Sequence, residues 1–394
     1  MIDPVRFVAA LEAAGVDRFV GVPDSLMKGV SVALAAHVPA ERHVVAVNEG
    51  NAVAIAMGQA LATGRPSLVY LQNSGLGNTV NPLLSLVDPA VYAVPMVLLV
   101  GWRGEPGVPD EPQHVTQGRV TPAMLDAMEV PWEELTADVD DVDVLVRRAA
   151  DRAVRREGPA VILVRKGAFG PGPAPAPAPA PSDHATAASD APSREAALGS
   201  VVAAVPGDAL VVSTTGMLSR ELFELRVARG GGELDLLTVG GMGHASSIAL
   251  GAALADRDRE VWCLDGDGAL LMHLGALAVI ARSGGPRFHH VVFNNGVHDS
   301  VGGQPTAIDV VDVPALARAA GYRWTGRART LAELDARLAD VAGPGPTLLE
   351  LVVRPGNRPD IGRPTRTPRE ARARLEAALR GTRVDGASAD GAAG

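Results

Sequence analysis

The sequence is poor in the residues that small disulfide-bonded or metal-rich folds depend on. Of its 394 residues one is a cysteine, Cys263, which excludes a disulfide framework and any multi-cysteine zinc or iron–sulfur site. Only Lys28 and Lys166 are lysines among 36 basic residues; with so much Ala, Gly and Pro this reads as codon bias and carries no function. Aromatic residues, at 3%, are too sparse to build base-stacking platforms. No apolar run reaches about 18 residues, so no membrane span is expected. The formal charge of −9 disfavours nonspecific attraction to nucleic acid or to an anionic membrane. The first residues, MIDPVRFVAALEAAG, read as an amphipathic helix with Val5, Val8, Ala9 and Leu11 on one side. They lack the basic start and long apolar core of an export signal, so a soluble cytoplasmic protein is expected.

What is present is a large apolar fraction, 47%, in a length that suggests two or three domains. The stretch from Gly167 to Pro192 is Pro/Ala-rich without periodic apolar residues and reads as an extended, semi-rigid linker. It separates a first domain, 1–166, from a second, 194–354, with 167–193 between them. Residues 355–394 form a polar tail in which TPREARARLEAALRG is able to form a short helix and DGASADGAAG is expected to be disordered. In the first half RFVGV, HVVAV, SLVYLQ, MVLLVG and AVILVR read as strands, with helix patterns such as NEGNAVAIAMGQALATG between them. In the second half ALVVS, EVWCLDG, HHVVFNN and TLLELVV do the same. Strands alternating with helices imply an α/β fold of two parallel-sheet domains, whose ligands bind at the carboxyl ends of the strands.

The polar motifs fall at those ends. A strand closes on Gly266-Asp267-Gly268, and the next closes on Asn294-Asn295, 28 residues after Asp267, the length of one β-α-β unit. Glycines let a backbone approach a phosphate, and the following helix offers its N-terminal amides. The Asp267 carboxylate and the Asn295 amide oxygen are hard ligands suited to Mg²⁺ that also bridges phosphates. A second glycine-rich turn, Gly240-Gly241-Met242-Gly243-His244, precedes an apolar helix and lacks the third glycine of a dinucleotide fingerprint. Glu49 stands between a strand and a helix, where an anion is favoured. After another strand comes Gln72-Asn73-Ser74-Gly75-Leu76-Gly77-Asn78, whose glycines admit a ligand to the backbone and whose amides bind carboxylate or cofactor.

Weaker signals are GVPDSLMKG with Asp24, Ser25 and Lys28; EPQHVTQGR with His114 and Arg119; TTGMLSREL with Thr214, Thr215, Ser219 and Arg220; and the pair His298 and Asp299 as acid–base candidates. Together they offer cations and hydroxyls to a dianionic substrate. His273, His289 and His290 lie within helix or strand patterns and read as structural, and Cys263 as a small core residue. There is no P-loop, zinc spacing or GxSxG elbow.

The metal motif resembles that of thiamine diphosphate enzymes. GVPDSLMKG, NEGNAVAIAMG, QNSGLGNTVNPL, DEPQHVTQGR, TTGMLSREL, GGMGHASSIALG, GDGALLMHLGAL and NNGVHDSVGGQPT together resemble the thiamine diphosphate-dependent decarboxylases of phosphonopyruvate and sulfopyruvate, over residues from about 20 to 350. The fusion of both halves in one chain, with VHDSVGGQPT, favours the phosphonate branch. The resemblance implies a pyrimidine-binding first domain and a diphosphate-binding second domain. It implies thiamine diphosphate and Mg²⁺ as cofactors, the ion held by Asp267, Asn295 and the Val297 carbonyl. Glu49 would hold the aminopyrimidine N1′ protonated, the Gly240 carbonyl would accept from the 4′-amino group, and Met242 would wedge between the cofactor's rings. Gly75, Asn78, Gly266 and Gly268 would complete the cofactor site. Asp24, Ser25, Lys28, His114, Arg119, Arg220 and His298 are the candidates to meet the small-molecule substrate phosphonopyruvate, in phosphonate biosynthesis. A homodimer or higher homo-oligomer is implied, with the pyrimidine domain of one subunit facing the diphosphate domain of another. The sequence departs from the pyruvate decarboxylase type, which carries a middle domain and an adjacent His pair in its first domain; here the only such pair is His289-His290. A sulfopyruvate decarboxylase, another 2-keto acid decarboxylase or carboligase, and a non-catalytic homologue are the alternatives.

Overall fold

Two apolar hexapeptides, Ser67–Gln72 and Met96–Gly101, are buried almost throughout, which only strands covered on both faces achieve. In this computed structural model residues 1–173 and 191–387 are described, and the chain divides into two compact units, Met1–Pro179 with Ser300–Pro305 and Ala180–Asp299 with Thr306–Gly394. The first unit carries strands β1 (Phe19–Gly21), β2 (His43–Val45), β3 (Ser67–Gln72), β4 (Met96–Gly101), β5 (Trp132–Leu135) and β6 (Pro159–Val164). They form one parallel sheet in the order β2-β1-β3-β4-β6-β5. Period-two alternation sends Leu68, Tyr70, Val97 and Leu99 into one core and Val69, Leu71, Leu98 and Val100 into the other.

The second unit carries β7 (Leu210–Ser213), β8 (Asp235–Leu237), β9 (Val261–Gly266), β10 (Phe288–Asn294), β11 (Trp324–Ala328) and β12 (Thr347–Val352). Their parallel order, β11-β12-β10-β9-β7-β8, repeats the topology of the first sheet strand for strand. In both, the first and third strands are neighbours while the second lies outside the first. The chain direction therefore reverses between β1 and β3, and again between β7 and β9, the place where such sheets open a crevice at their carboxyl ends.

Several elements differ from the sequence reading. β5, β8 and β11 are absent from it: WEEL, DLL and WTGRA are short, half-buried and broken by charge or glycine, as edge strands are. In the first helix, Pro4–Ala13, the buried residues are Pro4, Phe7, Val8, Ala10 and Leu11, whereas Ala9 faces solvent, because the stripe is centred one residue away from the expected one. Ala168 and Phe169, placed in the linker by composition, are buried in the first core, where Phe169 packs edge-on against Phe7 at 4.9 Å between ring centres. The Pro/Ala tract from 174 to 190 and the last residues, 388–394, lie outside the described residues. The tail helix runs Pro368–Ala387, longer than the expected TPREARARLEAALRG. Ahead of it Arg358 is paired with Glu195, Glu224 and Asp360, which ties the tail to the second unit.

Candidate active site

In the first unit the helix Glu49–Thr63 begins directly at Glu49. Asn48 caps it, its side chain accepting from the Gly50 N–H at 2.8 Å. This puts the Glu49 carboxylate in the first turn, on the favourable side of the helix dipole, yet buried. Asn78 Nδ2 donates to Glu49 Oε2 at 2.7 Å. Gly75 lies against the same carboxylate so closely that a Cβ there would fall on it. The tract Gln72 to Asn78, which reads as a glycine-rich loop, is a 3₁₀ turn, Asn73–Gly75, leading into the helix Leu76–Ser85. The structure thus brings Glu49, Gly75 and Asn78 together.

Asp24 follows β1, at the reversal point, and is fully buried. Gln72 Nε2 donates to its Oδ1 at 2.7 Å and the Leu26 N–H to its Oδ2 at 3.2 Å. Burial pushes the Asp24 carboxyl up, against the pull of Gln72 and the charge of Arg103. Arg103 Nη1 donates to Ser25 Oγ at 2.8 Å, and its remaining edge is engaged bidentately by Asp110. Asn73 spans Arg103 and Thr121, donating to the Arg103 carbonyl at 2.9 Å and to Thr121 Oγ1 at 3.0 Å. His114 is buried with its Nδ1 unpartnered; burial, then the charge of Arg103, hold its pKa down. Lys28 and Arg119 are exposed and lie outside this network of hydrogen bonds. The sequence reading missed Asp110 and Thr121, and it gave no role to Arg103. Nothing local pairs them, since Arg103 and Asp110 meet only through the fold of the loop after β4.

In the second unit β9 and β10 lie in register with Gly266 opposite Phe293, so the GDG turn and Asn295 emerge side by side. Asp267 is buried. Thr306 Oγ1 donates to its Oδ2 at 2.6 Å, and the Gly268 and Asn295 backbone N–H groups also point to it. These donors are neutral, and burial pushes the Asp267 carboxyl up to about 6. The Asn295 amide donates from Nδ2 to Asp299 Oδ2 at 2.6 Å and accepts at Oδ1 from the Val297 N–H at 3.2 Å. Behind the turn, Asp265 Oδ1 accepts the Gly266 N–H at 2.9 Å, and its Oδ2 faces His290 Nε2 at 3.3 Å.

Gly268 marks where two other segments converge. A Cβ there would lie 3.0 Å from His298 Cε1 and 3.3 Å from Met242 Cε. The structure thus brings Met242, Gly268 and His298 together, and burial pushes the His298 imidazole down to about 4. Gly240 is half-buried ahead of this turn, and His244 Nδ1 approaches the Gly241 and Met242 carbonyls at 3.1 and 3.2 Å. Asp299 is no free acid–base group, because it is engaged by Asn295, Arg194 and Gly356. Ser219 Oγ is engaged by the Thr214 carbonyl at 2.7 Å within the fold. Arg220 is half-buried on the helix Met217–Arg229. His289 and His290 are buried in β10 against Thr347 and Tyr322. Cys263 is buried, its thiol pushed up by burial.

The donor set fits the groups that the motifs imply. A buried carboxylate surrounded by neutral donors is stabilised by a cation, and carboxylate with amide oxygen is a hard set suited to Mg²⁺. Two family models match the chain: the thiamine pyrophosphate enzyme N-terminal TPP binding domain over residues 6–129 and the C-terminal TPP binding domain over 214–351. Phosphonopyruvate decarboxylase of Streptomyces viridochromogenes is 38% identical, with 96% of this chain and 95% of that one covered. That of Streptomyces hygroscopicus is 39% identical, over 95% and 93%. Sulfopyruvate decarboxylase of Methanosarcina acetivorans is 26% identical, over 82% and 83%. The chain belongs to the phosphonopyruvate decarboxylase family of thiamine pyrophosphate enzymes.

Proposed function

We propose that the chain decarboxylates 3-phosphonopyruvate to phosphonoacetaldehyde and CO₂, with thiamine diphosphate and Mg²⁺, as a step of phosphonate biosynthesis in the cytoplasm. The observation that carries the reading is Asp267, a buried carboxylate with neutral donors only, standing beside Asn295 at adjoining strand ends. When bound, thiamine diphosphate supplies the nucleophilic carbon and the electron sink that decarboxylation of a 2-keto acid needs. Asp267, Asn295 and the Val297 carbonyl would hold the ion. Glu49, kept in place by Asn78 and by the space at Gly75, would hold a proton on the aminopyrimidine N1′. The Gly240 carbonyl and Met242 would meet the cofactor's amino group and rings. His298 is neutral above about pH 4 and so offers a hydrogen bond rather than a charge. Lys28, His114, Arg119 and Arg220 are the cations and potential donors from which a phosphonate pocket is drawn; charge-assisted contacts to a dianion outweigh neutral ones.

The two Streptomyces relatives support phosphonopyruvate over sulfopyruvate as substrate. Sites completed by two chains, Glu49 from one and Asp267 from another, and a homo-oligomer at least dimeric, belong to the same reading. The test is incubation with phosphonopyruvate, thiamine diphosphate and Mg²⁺, followed by an aldehyde assay. Phosphonoacetaldehyde formed only when all three are present supports the reading, and its absence at every Mg²⁺ concentration refutes it.

A further inference from the structure

We infer that a buried ion-pair chain, Glu221–Arg194–Asp299, positions the Asn295 side chain so that its amide oxygen, and not its nitrogen, is presented to a divalent cation. The inference rests on the reading of Asp267 and Asn295 as metal ligands. An asparagine amide has two orientations of nearly equal shape, and only its oxygen ligates a cation. Here both edges of the amide are constrained in the same sense. On one edge Asp299 Oδ2 accepts the Nδ2 hydrogen at 2.6 Å. On the other the Val297 N–H, a donor only, points to Oδ1 at 3.2 Å. Turning the amide over would set carboxylate against carbonyl oxygen and N–H against NH₂.

Asp299 is itself held on three sides. Besides Asn295 it accepts from Arg194 Nη1 at 3.0 Å and from the Gly356 N–H at 3.1 Å. Arg194 lies 105 residues earlier in the chain, at the start of the helix Arg194–Ala204. It is clamped bidentately by Glu221 at 2.8 and 2.9 Å, with side-chain exposures of 7% for Arg194, 2% for Glu221 and 12% for Asp299. Burying such a group is costly, and an apolar replacement of similar volume is often no less stable, so stability alone is a weak account of it. What the chain does provide is a fixed acceptor behind a proposed ligand, the arrangement by which groups outside the coordination sphere tune a metal site. Arg194, Glu221 and Asp299 are positioning residues in this account; none of them ligates the ion.

The test is calorimetric titration of thiamine diphosphate into the full chain at stepped Mg²⁺ concentrations, which needs no turnover. Asp299→Asn keeps the shape but is able to present NH₂ to the amide oxygen and so permits the turned-over orientation. It is expected to raise the Mg²⁺ concentration for half-maximal cofactor binding by about 10–100-fold, with binding recovered at high Mg²⁺. Arg194→Lys, unable to bridge Glu221 and Asp299 together, is expected to act in the same direction and less strongly. It carries the test if Asp299→Asn fails to give the native circular dichroism spectrum. Asp267→Ala is the control. If it loses Mg²⁺-dependent binding while both variants keep the wild-type dependence, the positioning inference is wrong and the metal reading stands. A lowered melting temperature with unchanged Mg²⁺ dependence overturns the inference in the same way. If Asp267→Ala keeps wild-type Mg²⁺ dependence, the metal reading itself fails and the inference with it.

Discussion

Replacing Asp267 by asparagine should stabilise the metal-free protein while removing its ability to bind the cofactor. The Asp267 carboxyl is raised from 3.8 to about 6, chiefly by burial, against the help of Thr306 and the backbone N–H groups around it. An acid whose folded pKa exceeds its unfolded one binds more protons in the folded state between the two values. That contribution to stability is fully present below about pH 4 and is lost as pH rises through about 6. A shift of roughly two units at about 1.4 kcal/mol each makes the ionised carboxylate a cost of about 3 kcal/mol at pH 8, falling to about half of that at pH 5. The Asp267→Asn variant avoids the cost: its one amide oxygen accepts from the backbone N–H groups, and its NH₂ donates to the Thr306 hydroxyl, which is able to turn and accept. Urea unfolding of both proteins in EDTA at pH 5 and pH 8 is the assay. The asparagine variant is expected to be the more stable, by about 3 kcal/mol at pH 8 and visibly less at pH 5. Mg²⁺ with thiamine diphosphate should then stabilise the wild type and leave the variant unmoved. A variant less stable than wild type at pH 8, or a difference independent of pH, would refute the claim that Asp267 is a buried charge awaiting a cation.

Other consequences follow from the first unit and from the pairing of the halves. Glu49→Gln should lower kcat by at least about 10²-fold, with the circular dichroism spectrum and calorimetric cofactor binding largely retained; near-normal turnover would remove Glu49 from the mechanism. Gly75→Ala, which removes no functional group, should displace the Glu49 carboxylate and cost on the order of 10²-fold in kcat; wild-type turnover would contradict the close packing seen there. A mixture of Glu49→Gln and Asp267→Ala chains, each inactive alone, should regain activity after subunit exchange. Exchange demonstrated by mass spectrometry with no activity would rule out a site built from two chains.

The sheet centres were legible because β3, β4, β6, β9, β10 and β12 are built on runs of consecutive apolar residues and are buried on both faces, a pattern that a covered parallel strand needs. Of the edge strands, β2 was legible in HVVAV, but β5, β8 and β11 were not, since WEEL, DLL and WTGRA owe their conformation to a neighbour rather than to their own side chains. The site motifs stood out for a related reason: glycine, Asp and Asn directly after an apolar run have no packing role to play. Their partners carried no such signal. Thr306 reaches Asp267 across 39 residues, and Arg194 reaches Asp299 across 105. Each is an ordinary polar residue until the sheet order brings its element alongside. Asp299 shows the consequence most plainly. Its position beside His298 suggested proton transfer, whereas its three donors make it a fixed acceptor behind Asn295.

The most direct test of the account is the ratio of kcat/KM for phosphonopyruvate to those for sulfopyruvate and pyruvate, measured with saturating thiamine diphosphate and Mg²⁺ by release of CO₂. The account predicts that phosphonopyruvate leads, because its dianionic group gains charge-assisted contacts that the other two lack in whole or in part. Pyruvate or sulfopyruvate turned over as efficiently as phosphonopyruvate would contradict it.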